Sequence, residues 1–382
     1  MKKPIQFDNT ALFTGAGFSN ALGLNTSTGL EKSFTNLGKT EATPNKKLQA
    51  AISTELINFW KNVFGWTNNC PINPSLEDHF TLLDLSANAG HNLGMYSPRQ
   101  LRAIRRLSIH RVFDVLDQNY KPNAAVNYLI HCLSKGENNL IVSTNWDTAV
   151  ERSMKDLNYT YEYGVKTYDI PPGLGPNFYN NAANKNPLLI CKLHGSSNWI
   201  YCDTCRRLYA GEPGGGKTSL LRWIYLKEED LRTLGFPKDI VRTFRETRAS
   251  DPQKKSTECH KCNIELGARI ATFSYRKALS FFQFQAVWEE ALVHLREAKR
   301  WIFIGYSLPE ADYEIRHLLK TAQLSDRTSG EKEIWAIVGK DCQNTTKVRY
   351  EKFFGKNIIG RIYQLRLDEW FTEEKYKDLF QG

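Results

Sequence analysis

The chain has 382 residues, of which 41% are hydrophobic and 12% aromatic, and a formal net charge of +10. That is too much apolar material for a disordered chain, and enough for one large α/β domain with insertions or for two ordinary domains. No run approaches the roughly 20 apolar residues of a membrane-spanning helix, so membrane contact is not expected, and the basic surplus suits nucleic acid, an anionic cofactor, an acidic partner or a solvated surface without choosing among them.

The opening residues MKKPIQFDNTALFTGAG carry two lysines but no long apolar stretch, so they do not read as a signal peptide. The expected location is the cytoplasm. There, eight cysteines point to metal ligands or buried thiols rather than to disulfides.

In chain order, residues 10–18 read as a short buried strand breaking into a glycine turn. Residues 46–66 and 76–119 read as helical, with Leu56, Phe59, Trp60 and Phe64, then Ile104, Leu107, Val112, Phe113, Val115 and Leu116, recurring at helical spacing. Arg99, Arg102, Arg105, Arg106 and Arg111 interleave with the second set and predict a basic exposed side. Four compact apolar runs, 139–143, 188–193, 301–304 and 333–338, read as strands, each followed by a polar or glycine turn. That is the pattern of a parallel sheet with ligands at the strand C-termini. Residues 283–299 predict a helix packed on the sheet by Phe284, Val287, Trp288, Ala291, Leu292 and Leu295.

Four constellations could carry chemistry. In T-G-A-G-F-S, Gly15, Ala16 and Gly17 let backbone approach an anion and Ser19 adds a hydroxyl; a plain strand–helix turn would look the same. In S-T-N-W-D, Asn145 and Asp147 lie two apart, so in extended chain both side chains face one way; an Asx turn or helix cap would also use them. His194, in K-L-H-G-S, follows a buried strand and could act as a general base or serve structure. Cys202-x-x-Cys205 and Cys259-x-x-Cys262 supply the four thiolates of a tetrahedral structural Zn²⁺, with a longer span between pairs than simple ribbons have.

Taken in order, and with Gly305-Tyr306-Ser307-Leu308-Pro309, these motifs resemble the sirtuin family. That family has a G-A-G-x-S loop, a T-x-N-x-D strand end, H-G with the catalytic histidine, two zinc cysteine pairs and a later G-x-S loop. The resemblance implies an α/β fold with a Rossmann-like parallel sheet, a helical insertion and a small zinc-ribbon-like module. The expected division is 1–29 with 139–200 and 266–382 for the NAD-binding domain, 30–138 for the insertion and 201–265 for the cysteine module. It further implies NAD⁺ as substrate, with Gly15, Ala16, Gly17 and Ser19 at the pyrophosphate, and Gly305 and Ser307 at phosphate or ribose. His194 would be the base, Asn145 would position water or a ribose hydroxyl, and Asp147 would hold the nicotinamide amide.

The segment after the glycine loop, N-A-L-G-L-N-T, lacks the arginine of the P-D-F-R segment usual in sirtuin deacylases, and F-I-G-Y-S-L-P-E-A-D-Y-E-I-R looks like the bacterial anti-phage branch. That branch resembles NAD⁺-cleaving enzymes, some of which assemble with a hexameric HerA-type ATPase. The expectation is therefore an NAD⁺ glycohydrolase acting in anti-phage defence, a homo-oligomer, with a HerA-type partner through which nucleic acid could be reached. The alternatives are an NAD-dependent protein deacylase and a binding module without turnover.

One motif stands outside this set. G-E-P-G-G-G-K-T, residues 211–218, matches a phosphate-binding loop. What precedes it, CDTCRRLYA, reads as short and charged rather than as a buried strand, and no well-spaced Walker B strand is evident. It is read as a basic loop of the cysteine module.

Overall fold

The computed structural model describes residues 6–25, 27–35, 44–70, 72–116, 119–169, 187–211, 213, 226–250, 258–267, 282–325, 332–340, 344–358 and 360–380. The strands are β1 Thr10–Thr14, β2 Leu140–Ser143, β3 Tyr161–Tyr163, β4 Thr167–Asp169, β5 Leu188–Lys192, β6 Trp199–Tyr201, β7 Leu208–Ala210, β8 Arg300–Ile304, β9 Glu333–Ile337 and β10 Ile362–Tyr363. The helices used below are α1 Ala16–Ala21, α2 Ser27–Thr35, α3 Pro44–Phe64, α4 Leu76–Ala89, α5 Pro98–Val115, α6 Ala124–Lys135, α7 Ala149–Asp156, α8 Glu228–Thr233, α9 Lys238–Ser250 and α10 Phe282–Glu297.

β1, β2 and β5 are buried along their whole length, as an all-parallel sheet covered on both faces requires. Seven strands form that sheet in the order β10-β9-β8-β1-β2-β5-β3, every pair parallel. The chain starts at central β1, builds β2, β5 and β3 on one side, then returns to place β8, β9 and β10 on the other. The topological switch point, where such sheets open a crevice at their C-terminal edge, therefore lies between β1 and β8. The predicted Rossmann-like α/β sheet is present, and the four predicted strands are β2, β5, β8 and β9.

Two apolar cores result. The first holds the parallel strands with α6 and the inward face of α10, including Phe284, Val287, Ala291 and Leu295. The second holds α2 to α5 together with Ile200, Tyr209, Leu226, Leu231, Val241, Phe244 and Leu266. The helical insertion and the cysteine-bearing segment thus share one interior. A small sheet, β4-β7-β6, borders it.

The stretch 76–119, read as continuously helical, is broken. Gly90, at φ 72°, closes α4, and Ser97 caps α5 with a reciprocal Ser97–Gln100 capping box and Pro98 in the first turn. The α5 arginines also differ from a purely solvated face. Arg105 Nε donates to Asp84 at 2.6 Å, Arg106 forms a two-pronged pair with Asp230, and Arg99 pairs with Glu229. Asp230 and Glu229 belong to α8, so Arg99 and Arg106 link the cysteine-bearing segment to the helical insertion.

Within the second core His79 is fully enclosed by the edges of Phe34, Phe59, Trp60 and Phe80. The Trp60 indole N–H, a donor only, gives to Nδ1 at 3.0 Å, so Nε2 carries the proton and donates to Ser108 Oγ at 2.7 Å. Burial of this neutral ring pushes its pKa down from 6.5 to about 3. Between those values the unfolded chain binds a proton that the folded chain does not, so stability falls as pH drops below 6.5. The slope from this residue rises toward the one-proton limit of about 1.4 kcal/mol per pH unit as pH falls well below 6.5. Urea unfolding between pH 6.5 and 5 should show a steeper loss of stability in the native protein than in His79→Gln, by roughly 1 kcal/mol per pH unit; the amide of the variant can still serve both partners.

Candidate active site

Strand register sets the site. Thr14 pairs with Ser143 on one side and Ile304 on the other, and Ser143 pairs with Lys192. The last residues of β8, β1, β2 and β5, four neighbours in the sheet, therefore form one row. The segments that follow carry four of the five predicted motifs: Gly305–Ser307, Gly15–Ser19 (the cap and first turn of α1), Asn145–Asp147 and His194.

Three predicted residues meet by hydrogen bonding. Ser19 Oγ donates to Asp147 Oδ2 at 2.8 Å, and Asn145 Nδ2 donates to Ser19 Oγ at 2.8 Å. Asp147 Oδ1 accepts from Ala149 N–H at 3.0 Å, which also ties it to the start of α7. Asn145 and Asp147 do face one way, and Trp146 between them points oppositely, into the second core against Phe113. Asp147 is 5% exposed and Asn145 half-buried.

His194 is 8% exposed and lies two residues past the end of β5. Its Nδ1 lies 3.0 Å from the Thr144 carbonyl, which can only accept, so Nδ1 carries the proton and Nε2 is the basic nitrogen. The Trp288 indole, from α10, donates to the adjacent Leu193 carbonyl at 2.9 Å and ties that turn to α10.

The glycine loops meet each other. Gly17 N–H donates to Gly305 O at 2.9 Å and Gly15 N–H to Ile304 O at 3.0 Å. A Cβ on Gly17 would stand 2.7 Å from Gly305 Cα, and one on Gly305, at φ +62°, 2.3 Å from Phe18 N. Close approach of two backbones thus accounts for these glycines, with two of their N–H groups given to β8 and its loop. Ala16 is half-buried, and Gly17 and Ser307 are exposed. Beside them a cleft of about 100 Å³, lined among others by Gly17, Asn20, Gly305, Gly339 and Asp368, opens at the switch point.

Cys202, Cys205, Cys259 and Cys262 are brought together, their sulfurs within 4.8 Å of one another. Sγ of Cys202 and Cys262 are 3.3 Å apart, and those of Cys205 and Cys259 3.6 Å. Thiolates at about 2.3 Å from Zn²⁺ in a tetrahedron lie about 3.8 Å apart, so the donor set fits that ion. Both pairs have the same turn: Arg206 and Asn263 adopt positive φ, and their N–H groups bond back to Cys202 O at 2.9 Å and Cys259 O at 2.7 Å. Burial pushes the Cys259 thiol up, but hydrogen bonds from Tyr209 Oη and the backbone N–H groups of Lys261 and Cys262 outweigh it and bring the thiol down to about 6. The four cysteines would hold the ion as a structural centre, closed to substrate.

The phosphate-loop match falls mostly outside the described residues, Lys217 included. Its root is described and corrects one expectation: Leu208–Ala210 is a buried strand, because β7 is the middle strand of the small sheet. Gly211, next in line, exchanges two hydrogen bonds with Asn198, its N–H to Asn198 O and its carbonyl from Asn198 Nδ2, both at 2.8 Å.

Sequence reasoning passed over the buried polar groups beneath the site. Lys192 Nζ donates to the Asp147 carbonyl and lies 3.3 Å from Glu151 Oε1, and Glu151 in turn accepts from Tyr163 Oη at 3.1 Å. The available signal was a lysine closing an otherwise apolar strand run, L-L-I-C-K-L.

No protein-family profile matches the chain, and no curated protein sequence matches it. Among solved structures the chain is similar to a Sir2 homologue in complex with NAD, at 14% identity over 97% of this chain and 90% of that one, with a TM-score of 0.40. It is similar to a Sir2–p53 peptide–NAD⁺ complex at 12% identity over 97% and 94%, TM-score 0.40. A structure addressing sirtuin substrate affinity gives 14% identity over 98% and 94%, TM-score 0.38.

Two measurements follow. Elemental analysis should find one zinc per chain, and Cys205→Ser or exhaustive chelation should remove it and lower the thermal midpoint by about 5 °C or more; no zinc and an unmoved midpoint would remove the metal centre. Gly305→Ala should lose about 2 kcal/mol or more of unfolding free energy, because the new Cβ meets backbone at a positive φ.

Proposed function

We propose that the chain is a sirtuin-like NAD⁺ glycohydrolase, which releases nicotinamide and leaves ADP-ribose. One observation carries the reading: Ser19, Asn145 and Asp147 form a hydrogen-bonded chain beside a histidine of fixed tautomer, on the C-terminal row of four adjacent parallel strands. The dinucleotide would cross the β1–β8 switch point, where Gly17 and Ser307 are exposed, Ala16 is half-buried, and Gly15 and Gly305 let the start of α1 and the β8 loop close on each other.

The chemistry asks little of the protein beyond placement. The glycosidic bond breaks with its electrons leaving on neutral nicotinamide, and a water oxygen bonds to the cation-like ribose carbon. Asn145, steadied by Ser19, orients that water or a ribose hydroxyl. His194 Nε2 takes the proton, while Nδ1 stays on the Thr144 carbonyl. Asp147 holds Ser19, and its remaining lone pairs face the nicotinamide amide. The four cysteines would hold Zn²⁺ away from these residues, as a structural centre.

The missing arginine after the glycine loop favours glycohydrolysis over deacylation. The resemblance to the anti-phage branch extends the proposal to a defence effector, a homo-oligomer restrained until triggered and partnered by a HerA-type ATPase.

The test is nicotinamide release without peptide. His194→Ala and Asn145→Ala should each lose about 10²–10⁴-fold in rate with unchanged thermal midpoints. Release that appears only when an acyl-lysine peptide is added would replace the proposal with a deacylase.

A further inference from the structure

We propose that Lys192 is a positioning residue: its ammonium, buried between the Asp147 carbonyl and the Glu151 carboxylate, fixes the Asn145–Asp147 segment against the strand that leads to His194. The inference deepens the glycohydrolase reading and rests on it for its kinetic part.

The Lys192 side chain is 1% exposed and that of Glu151 0%. Glu151 stands in the first turn of α7, directly after Asp147 and Thr148. Lys192 therefore joins three things: the end of β5, the loop that ends β2, and the helix that follows that loop. The network continues outward. Glu151 Oε1 accepts from Tyr163 Oη at 3.1 Å, Tyr163 Oη accepts from Asn198 Nδ2 at 3.1 Å, and Asn198 grips Gly211 at the end of β7. One buried charge pair thus ties the large sheet, the small sheet and the active-site loop together. Glu151 Oε2 is buried with no hydrogen-bond partner among the described residues, so the pair is not fully compensated.

Stability does not account for such a pair. Taking both charges out of water is expensive, and an apolar pair of similar volume is commonly as stable or more so. What an apolar pair cannot do is orient a carbonyl. Here the carbonyl belongs to Asp147, whose carboxylate holds Ser19, which holds Asn145. The same segment includes the Thr144 carbonyl that sets the His194 tautomer. A shift of this loop would reach the base and its partner at once, and misplacement by about 1 Å can cost about 100-fold in rate.

The test compares two double variants. Lys192→Met with Glu151→Leu removes the donor and fills the space; Lys192→Gln with Glu151→Gln keeps a donor for the Asp147 carbonyl without charge. The apolar pair should keep a thermal midpoint within about 3 °C of the native protein. Its kcat for nicotinamide release should fall about 10–100-fold with KM for NAD⁺ little changed, and deuterium uptake over residues 144–148 should rise. The amide pair should recover most of the turnover and protection. Equal behaviour of the two pairs, or native turnover and uptake in a stable apolar pair, would overturn the proposal. If the apolar pair does not fold, native uptake and turnover in single Lys192→Met would do the same, and losses that the amide pair rescues would support it. If the native protein never releases nicotinamide, the glycohydrolase reading fails, and uptake alone decides the positioning role.

Discussion

Two backbones touch at the switch point of the sheet, and much else depends on that contact. The start of α1, which follows β1, lies on the β8 loop so closely that neither Gly17 nor Gly305 has room for a Cβ. The contact is locked by Gly17 N–H on Gly305 O, with Gly305 N–H passing on to Ile337 O. Ser19 follows Gly17 in the same helix, and Asn145 and Asp147 of the loop after β2 both bond to its single hydroxyl. The crevice at the strand ends is thereby a fixed shape rather than a gap between separate loops.

The second core is joined to this edge through Trp146. A side chain placed between Asn145 and Asp147, and pointing the other way, anchors the loop after β2 in the interior of the helical insertion. That interior also includes the cysteine cluster, through Cys202, Cys259 and Tyr209. Around it the α5 arginines meet consecutive acids of α8, Arg99 on Glu229 and Arg106 on Asp230. Exposed pairs of this kind add little energy singly. Asp230 is buried, however, and its two-pronged partner sets register between segments far apart in sequence. These two arginines are thus paired with acids of the chain itself rather than offered to a ligand.

Beneath the site, polar groups are kept where apolar ones would fit. Tyr163, Glu151, Lys192 and Asn198 are all buried. Burial raises the Glu151 carboxyl and the nearby Lys192 ammonium opposes that rise. Such an arrangement suits direction better than strength, since hydrogen bonds in a low-dielectric interior are specific and their loss is costly.

The sequence by itself determined the local breaks in the chain: which short apolar runs are strands, where each ends, and that a glycine loop, an Asn-x-Asp, a His-Gly and two cysteine pairs follow those ends. These are readable because strand burial and turn chemistry are short-range properties. It misjudged the run 76–119, where Gly90 and Ser97-Pro98 divide two helices, and the lead-in to Gly211, where a strand of only three residues, Leu208–Ala210, is too short to show a pattern. Only the tertiary structure decided that β8, β1, β2 and β5 are neighbours, and so that four separate motifs share one row. It alone paired Lys192 with Glu151, Trp146 with Phe113, and the α5 arginines with α8. Strand order and charge pairing are contacts between distant parts of the chain, and no spacing within either part records them.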